Sequence, residues 1–327
     1  MKLYRPKHAR LSALGRYLPE RVVTNADLVK AGAPLGEAEM LQLAGITERR
    51  WAEAKDATSD LAARACREVL QGRTDVDRLI LATVSPDHPS PSTACAVQKL
   101  LGLPPIPSFD VVAACSGFLF ALDAAARAVD TGDQAVLAVT AEIRSRFLDL
   151  QDRATCALFG DGAAAALVTH GEPNILGIGL VSDGSGLTSV YVPAGGTREP
   201  ASEATVAQRR HFIRMQDGPA VYFQAVDGMR SVAEELLAGL GLKFSDVDLV
   251  VPHQANRRLV ERLGRVCGIA QEKVVSNIEK LGNTAGASVA LALEEAMRTG
   301  RAKRGDKVLL VTAGAGYTAG AALLQLA

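Results

Sequence analysis

Aromatic side chains are scarce in this sequence: Phe, Trp and Tyr make up 4% of it, with a single tryptophan. Packing must therefore rest on small residues, and the 30 glycines and many alanines suit helices laid closely on sheets. No charge of either sign prevails, since 36 basic residues face 36 acidic ones, so no overall field draws the chain to nucleic acid or to an anionic membrane. The five cysteines, Cys66, Cys95, Cys115, Cys156 and Cys267, are scattered, with no C-x-x-C pair and no His at zinc-ligand spacing, so no metal site is expected. There is no G-x-x-x-x-G-K-[ST], which removes the nucleotide-hydrolase class. The opening MKLYRPKHARLSALGRYLPE is basic but has no apolar run long enough for a signal peptide, and no later stretch has the length of a membrane span. A reducing cytoplasm with free thiols is the expectation.

What is present is a large apolar fraction, 48% of 327 residues, enough for more than one packed unit. A pattern recurs along the chain. Val76-Asp77 leads into LILATV and Gly132-Asp133 into AVLAVTAE; later Val247-Asp248 leads into LVVP and Gly305-Asp306 into KVLLVTAG. The two intervals nearly agree, which predicts a duplication. Between these strand-like runs lie two Ala-rich helical stretches, SGFLFALDAAARAV and AGASVALALEEAMRTG, apolar nearly all round as buried helices are. Strands alternating with helices predict an α/β fold of βαβ units, with parallel sheets covered on both faces. Two such halves stack into five layers, α-β-α-β-α. The Gly-, Pro-, Ser- and Thr-rich stretch from Gly171 to Arg210 is expected to be the crossover between halves plus a surface excursion, giving halves at 1–170 and 171–327.

Three residues stand at strand-to-helix junctions. Cys115, in DVVAACSGF, sits where a strand stops and a helix begins, and peptide dipoles at a helix start favour the thiolate and predict a lowered pKa. The other four cysteines lie within apolar or helical stretches and are assigned to packing. His253 follows DLVVP and precedes QANRRLVERLGRV, at the end of a strand where α/β folds place ligands, although a lone His there has an ordinary structural reading. Asn283, in EKLGNTAGAS, is by itself a helix cap; beside a cysteine and a histidine at equivalent junctions it gains a second reading as a donor to a developing oxyanion. The Gly-rich TAGAGYTAG could present the Gly316 amide to the same place. His8, His88, His170 and His211 have no comparable setting.

Taken together, ACSGF, HQAN, GNTAGAS, FGDGAAAAL, YLPERVVTN and GITERR run in order through nearly the whole chain, and in this the sequence resembles the ketosynthase III branch of the thiolase superfamily. The resemblance implies a thiolase-like fold and a β-ketoacyl-acyl-carrier-protein synthase: Cys115 takes an acyl group from acyl-CoA, and malonyl-acyl-carrier protein loses CO₂ and condenses with it. It implies that His253 and Asn283 bind the thioester carbonyl, and that the amides of Cys115 and Gly316 form the oxyanion hole. No permanently bound cofactor is implied. The implied partners are an acyl carrier protein, an acyl-CoA and a second copy of the chain in a homodimer. Arg258, Arg262 and Arg265 fall at i, i+4 and i+7, one basic stripe that is either a carrier-docking face or a solvated one. The family's pattern gives Arg258 a part in docking the carrier and Arg153 a part in the CoA entrance.

Two departures bear on the substrate. Where relatives that use acetyl-CoA carry Trp and Arg to sandwich the adenine ring, this chain has Glu39 and Leu43, and where a bulky residue gates the acyl pocket it has Ser90. Both point to a primer other than acetyl: longer, branched or carboxylated. Arg144 and Arg146, in AEIRSRF, either pair with a carboxylated tail or are surface residues, the ordinary reading of two arginines. The alternatives left open are a relative that makes a biotin-precursor pimeloyl chain or primes a secondary metabolite, an acyltransferase without condensation, and a non-catalytic carrier-binding subunit. A biosynthetic thiolase would need a second cysteine near the C-terminus, where TAGAGYTAG has none, and a papain-like hydrolase would have no duplicated half.

Overall fold

A computed structural model describes all residues 1–327. The chain opens with β1 (Lys2–Tyr4) and β2 (Ala9–Tyr17), passes through a two-stranded ribbon of β3 (Val22–Thr24) and β4 (Glu48–Arg50), and continues with β5 (Arg78–Ala82), β6 (Ser108–Val111), β7 (Ala135–Glu142) and β8 (Gly162–His170). The second half contributes β9 (Ile175–Ser182), a ribbon of β10 (Val190–Tyr191) and β11 (Arg214–Met215), then β12 (Leu249–Pro252), β13 (Lys307–Gly314) and β14 (Thr318–Gln325).

Ten of these strands form two five-stranded sheets, ordered β2-β8-β7-β5-β6 and β1-β9-β14-β13-β12. Four positions repeat: β2, β8, β7 and β5 in one sheet occupy the places of β9, β14, β13 and β12 in the other. The Val-Asp signal has a structural basis. Asp77 accepts the Ala135 amide at the start of β7, and Asp248 accepts the Lys307 amide at the start of β13, so one carboxylate in each half pins two parallel strands in register. The sheets are mixed rather than parallel: β5 pairs parallel with β6 and β7, and β12 with β13, while the other pairs in the two sheets are antiparallel. The stretch after Gly171 also departs from expectation, because Ile175–Ser182 is a strand inside the second sheet. The halves exchange one element, since β1 at the N-terminus pairs with β9.

Layering follows from the period of two along each strand. On β7, Val136 and Ala138 face the central core, whereas Leu137 and Val139 face an outer one; on β13, Val308 and Leu310 face the centre and Leu309 and Val311 the other outer core. The central layer holds helices Gly117–Asp130 and Ser288–Arg298, whose Phe118, Leu119, Leu291 and Leu293 are completely buried. Helices Thr58–Leu70 and Thr93–Leu101 cover one outer face; Gly218–Leu240 and Arg257–Val266 cover the other. At roughly 1.5–3 kcal/mol for each large side chain withdrawn from water, the shared core of 35 buried residues joins the halves strongly. No helix is long and apolar enough to cross a membrane.

Candidate active site

Each central helix is entered through a 3₁₀ turn, Ala114–Ser116 in the first half and Ala285–Ala287 in the second. Both turns open on an alanine in the left-handed region, Ala114 at φ +46° and Ala285 at φ +47°, a conformation costly for a residue with a Cβ and held here by the packing around it. The first turn carries Cys115. In the second turn the matching residue is Gly286, where a Cβ would lie 3.2 Å from the Ala114 carbonyl oxygen and 3.3 Å from Glu142 Oε1. The two turns therefore meet back to back, and only one has room for a side chain.

Cys115, His253 and Asn283 line one cavity of about 860 Å³. Part of Cys115 opens on it, but burial pushes the thiol up to about 12, with the Arg144 charge opposing the rise and the Glu142 carboxylate adding to it. The lowered pKa expected from the helix start is thus outweighed by desolvation. Gly314, at the end of β13, abuts Cys115: a Cβ there would stand 2.8 Å from the Cys115 nitrogen.

His253 is 2% exposed and neutral, its pKa lowered to about 4 by burial. Its Nδ1 lies 2.6 Å from Ser288 Oγ, which also accepts the Gln254 amide at 3.3 Å. With that lone pair engaged, the serine proton is free to go to Nδ1, and the ring keeps its own proton on Nε2 as a donor. Asn283 is 6% exposed, and its Oδ1 accepts the Ala285 amide at 2.9 Å. That bond fixes the carboxamide's orientation and leaves its NH₂ group without a protein acceptor. The site thus presents two neutral donors around a buried sulfur.

Gly316 is not on the cavity wall; Gly314, Ala315 and Tyr317 are. Cys115 and Ala315 both line the wall, and neither backbone N–H enters a backbone hydrogen bond of the turns and loops. A run of glycines carries no side-chain pattern from which to read that register.

Two residues matter more than the sequence suggests. Glu142, at the end of β7, is 1% exposed, accepts Val84 N–H and Ser85 Oγ–H, and is pushed up to about 7 by burial. Arg144, for which a surface place is the ordinary reading of the two left open above, is 5% exposed and lines the cavity. Arg146 is a surface residue, donating to the carbonyl oxygens of Glu53, Ala54 and Asp56. The remaining candidates lie at or beyond the mouth. Arg258 is exposed and on the cavity wall, Arg262 and Arg265 are exposed, and none of the three makes an ion pair. Arg153 is off the wall, donating to the Pro34 carbonyl oxygen and pairing with Glu39 Oε1 at 3.1 Å, while Leu43 is on the wall. Ser90 is exposed and does not reach the cavity of its own chain.

Comparison with known proteins agrees with this geometry. Residues 109–184 match the model described as 3-oxoacyl-[acyl-carrier-protein (ACP)] synthase III, and residues 237–326 match its C-terminal counterpart. The β-ketoacyl-[acyl-carrier-protein] synthase III of Solibacter usitatus is 44% identical over 98% of this chain and 99% of its own, and that of Caldanaerobacter subterraneus is 44% identical over 93% of each. The crystal structure of 3-oxoacyl-[acyl-carrier-protein] synthase III from Aquifex aeolicus superposes with a TM-score of 0.88 at 38% identity, covering 97% of this chain and 99% of that one. A cysteine, a neutral imidazole and an oriented carboxamide around one cavity in a duplicated thiolase-like fold place this chain in the β-ketoacyl-[acyl-carrier-protein] synthase III family of condensing acyltransferases.

Proposed function

We propose that this chain forms a carbon–carbon bond between an acyl group taken from acyl-CoA and the two-carbon unit of malonyl-acyl-carrier protein. Cys115 Sγ attacks the thioester carbonyl, the C–S bond to CoA breaks, and the proton given up by the Cys115 thiol is taken up by the departing CoA thiolate. The backbone N–H groups of Cys115 and Ala315, on the cavity wall, serve as the oxyanion hole for the tetrahedral intermediate. Malonyl-carrier protein then enters and its C–CO₂ bond breaks. The electron pair left behind delocalises onto the thioester oxygen, which His253 Nε2–H and the Asn283 NH₂ hold. The resulting carbon nucleophile attacks the acyl-cysteine, the C–S bond to Cys115 breaks, and a β-ketoacyl-carrier protein departs.

The observation that carries this reading is the protonation geometry: burial holds His253 neutral and Ser288 directs its remaining proton outward, while Asn283 Oδ1 is tied to the backbone. Neutral donors suit a charge that exists only transiently in a water-poor site. The half-buried sulfur on the cavity wall speaks against a non-catalytic carrier-binding subunit. For the carrier, the unpaired Arg258, Arg262 and Arg265 form a cationic face beside the mouth, suited to an acidic protein and its phosphopantetheine phosphate. For a homodimer, β6 is an unpaired sheet edge with Phe109 39% and Val112 76% exposed, and a second copy would bring Ser90 toward the neighbouring cavity. Five free thiols fit a reducing cytoplasm.

The test is to mix the enzyme with a panel of acyl-CoAs, read the mass of the intact protein, and then add malonyl-carrier protein and follow CO₂ release. An adduct on Cys115 followed by CO₂ and β-ketoacyl product is the expected result. Absence of an adduct with every acyl-CoA, or CO₂ release undiminished in both His253→Ala and Asn283→Ala, would overturn it.

A further inference from the structure

We propose that the primer accepted by this enzyme is a dicarboxylic acid monothioester, whose free carboxylate is bound by Arg144. The inference rests on the reading of the cavity as the acyl site and names its substrate class.

The cavity wall is mostly apolar, 21 of 29 residues, and its only charged members are Arg144 and Arg258. No carboxylate lines it. Arg258 lies on an exposed helix at the mouth, so it is accessible to water and to a carrier. Arg144 is different, being 5% exposed within the wall. One of its terminal nitrogens donates to the Val84 carbonyl oxygen at 3.2 Å. Its Nε is enclosed and has no partner, and its second terminal nitrogen has no protein acceptor and is not enclosed, so it opens onto the cavity that the residue lines. The guanidinium is braced rather than loose, 5.2 Å from the Phe147 ring and 5.6 Å from the Phe159 ring.

A buried cation calls for a counter-ion, and the protein supplies none within 4.0 Å, since Arg144 makes no ion pair. The nearby acid, Glu142, feels the Arg144 charge without forming an ion pair with it, and spends its hydrogen bonds on Val84 N–H, Ser85 Oγ–H and the Gly286 amide. An alkyl primer would leave this guanidinium without a directly hydrogen-bonded anion. A primer with a terminal carboxylate offers two oxygens to a planar fork already held in place. The first carboxyl of the same molecule is the thioester carbon presented to Cys115, so one diacid can engage both residues, which line the same cavity.

A competing role is electrostatic: the Arg144 charge also opposes the rise of the Cys115 pKa. The two roles separate by substrate. CoA monothioesters of the straight-chain C4 to C7 diacids are compared with unsubstituted acyl-CoAs of the same carbon number, reading Cys115 loading by intact mass and kcat/KM for condensation. The expected result is a preference of roughly tenfold or more for at least one carboxylated primer, lost when its free carboxylate is methyl-esterified, a comparison made entirely on the wild-type enzyme. Arg144→Gln should lower loading by that primer roughly tenfold or more beyond its effect on loading by the matched neutral chain, whatever common loss both suffer from the change at Cys115, and Arg144→Lys should recover part of the preference. Equal loss for charged and neutral primers in Arg144→Gln, with slowed alkylation of Cys115 by iodoacetamide, would assign Arg144 to thiolate support and overturn the proposal. A wild-type preference for the neutral chains, or indifference to esterification, would also overturn it. Failure of every primer to load is a separate outcome that removes the condensing reading itself.

Discussion

The two halves of this molecule share a strand order, a pinned parallel pair and a left-handed alanine before the central helix, yet they carry opposite chemistry at that point. The first half places a sulfur at the turn; the second places a glycine there and instead shows donors from two neighbouring junctions, His253 after β12 and Asn283 before the turn. The difference teaches what a duplicated scaffold allows. Two identical turns meeting at a pseudo-symmetric seam cannot both bear side chains, so one carries the cysteine and the other backs it. The half without a side chain at its turn is then free to hold the groups proposed above to bind the second substrate.

The comparison breaks most sharply at the sulfur. Cys115→Ala should lower acyl loading by roughly a thousandfold or more, since no other cysteine lines the cavity. An acyl adduct retained by that variant, located by peptide mapping, would move the nucleophile elsewhere. The second half is tested next. His253→Ala and Asn283→Ala should each load acyl groups at near wild-type rate but lose malonyl decarboxylation by roughly a hundredfold to a thousandfold, the scale of removing an oxyanion donor. A variant that fails to load and decarboxylate in equal measure would show that its residue acts on both steps, contrary to a division of labour between halves. Ser288→Ala is expected to be milder, roughly tenfold in decarboxylation, with an altered pH profile because Nδ1 loses the partner that sets the tautomer. The seam itself is probed by Gly286→Ala. A methyl group 3.2 Å from the Ala114 carbonyl oxygen forces the turns apart and should cost about 1–3 kcal/mol, measured by thermal unfolding. An unchanged melting temperature would show that the turns have slack.

Much of this was legible before any coordinates. Cys115, His253 and Asn283 stand at strand-to-helix junctions that apolar runs and Gly or Asn punctuation mark clearly, and the Val-Asp repeat recorded a carboxylate that structurally pins two strands in each half. What escaped is whatever depends on contacts remote in sequence. Ile175–Ser182 looked like loop because its glycines at 177 and 179 break the apolar pattern, yet they lie against Leu3 and Met1, at the N-terminal end of the chain. Glu142 and Arg144 are charged residues in a short segment without period, and ordinary expectation puts such side chains in water. Glu142 is buried where the end of β7 meets the Gly286 turn of the other half, a contact remote in sequence, and Arg144 lies two residues on, in the cavity wall. That Ala315 rather than Gly316 lines the cavity has a plainer cause for going unread, since a glycine-rich turn offers no side chain to fix which residue faces inward.

The smallest expected effect sets the two halves against each other by charge. Glu142 belongs to the first half and is raised from 4.5 to about 7; His253 belongs to the second and is lowered from 6.5 to about 4. For Glu142 the folded state holds the proton more tightly, so its contribution is present below about pH 4.5 and is lost as pH rises toward 7. For His253 the unfolded state holds the proton more tightly, so its contribution is present above 6.5 and is lost as pH falls toward 4. Between roughly pH 4.5 and 6.5 the two slopes are opposite and each is about 1.4 kcal/mol per pH unit, so together they leave stability nearly flat. His253→Gln removes one of them, and its unfolding free energy should rise relative to wild type as pH is lowered through that window; Glu142→Gln should do the reverse. Denaturant midpoints at pH 5, 6 and 7 measure both. Parallel curves for wild type and both variants would mean that neither group is desolvated as the packing implies, and the neutral-donor reading of His253 would lose its physical basis.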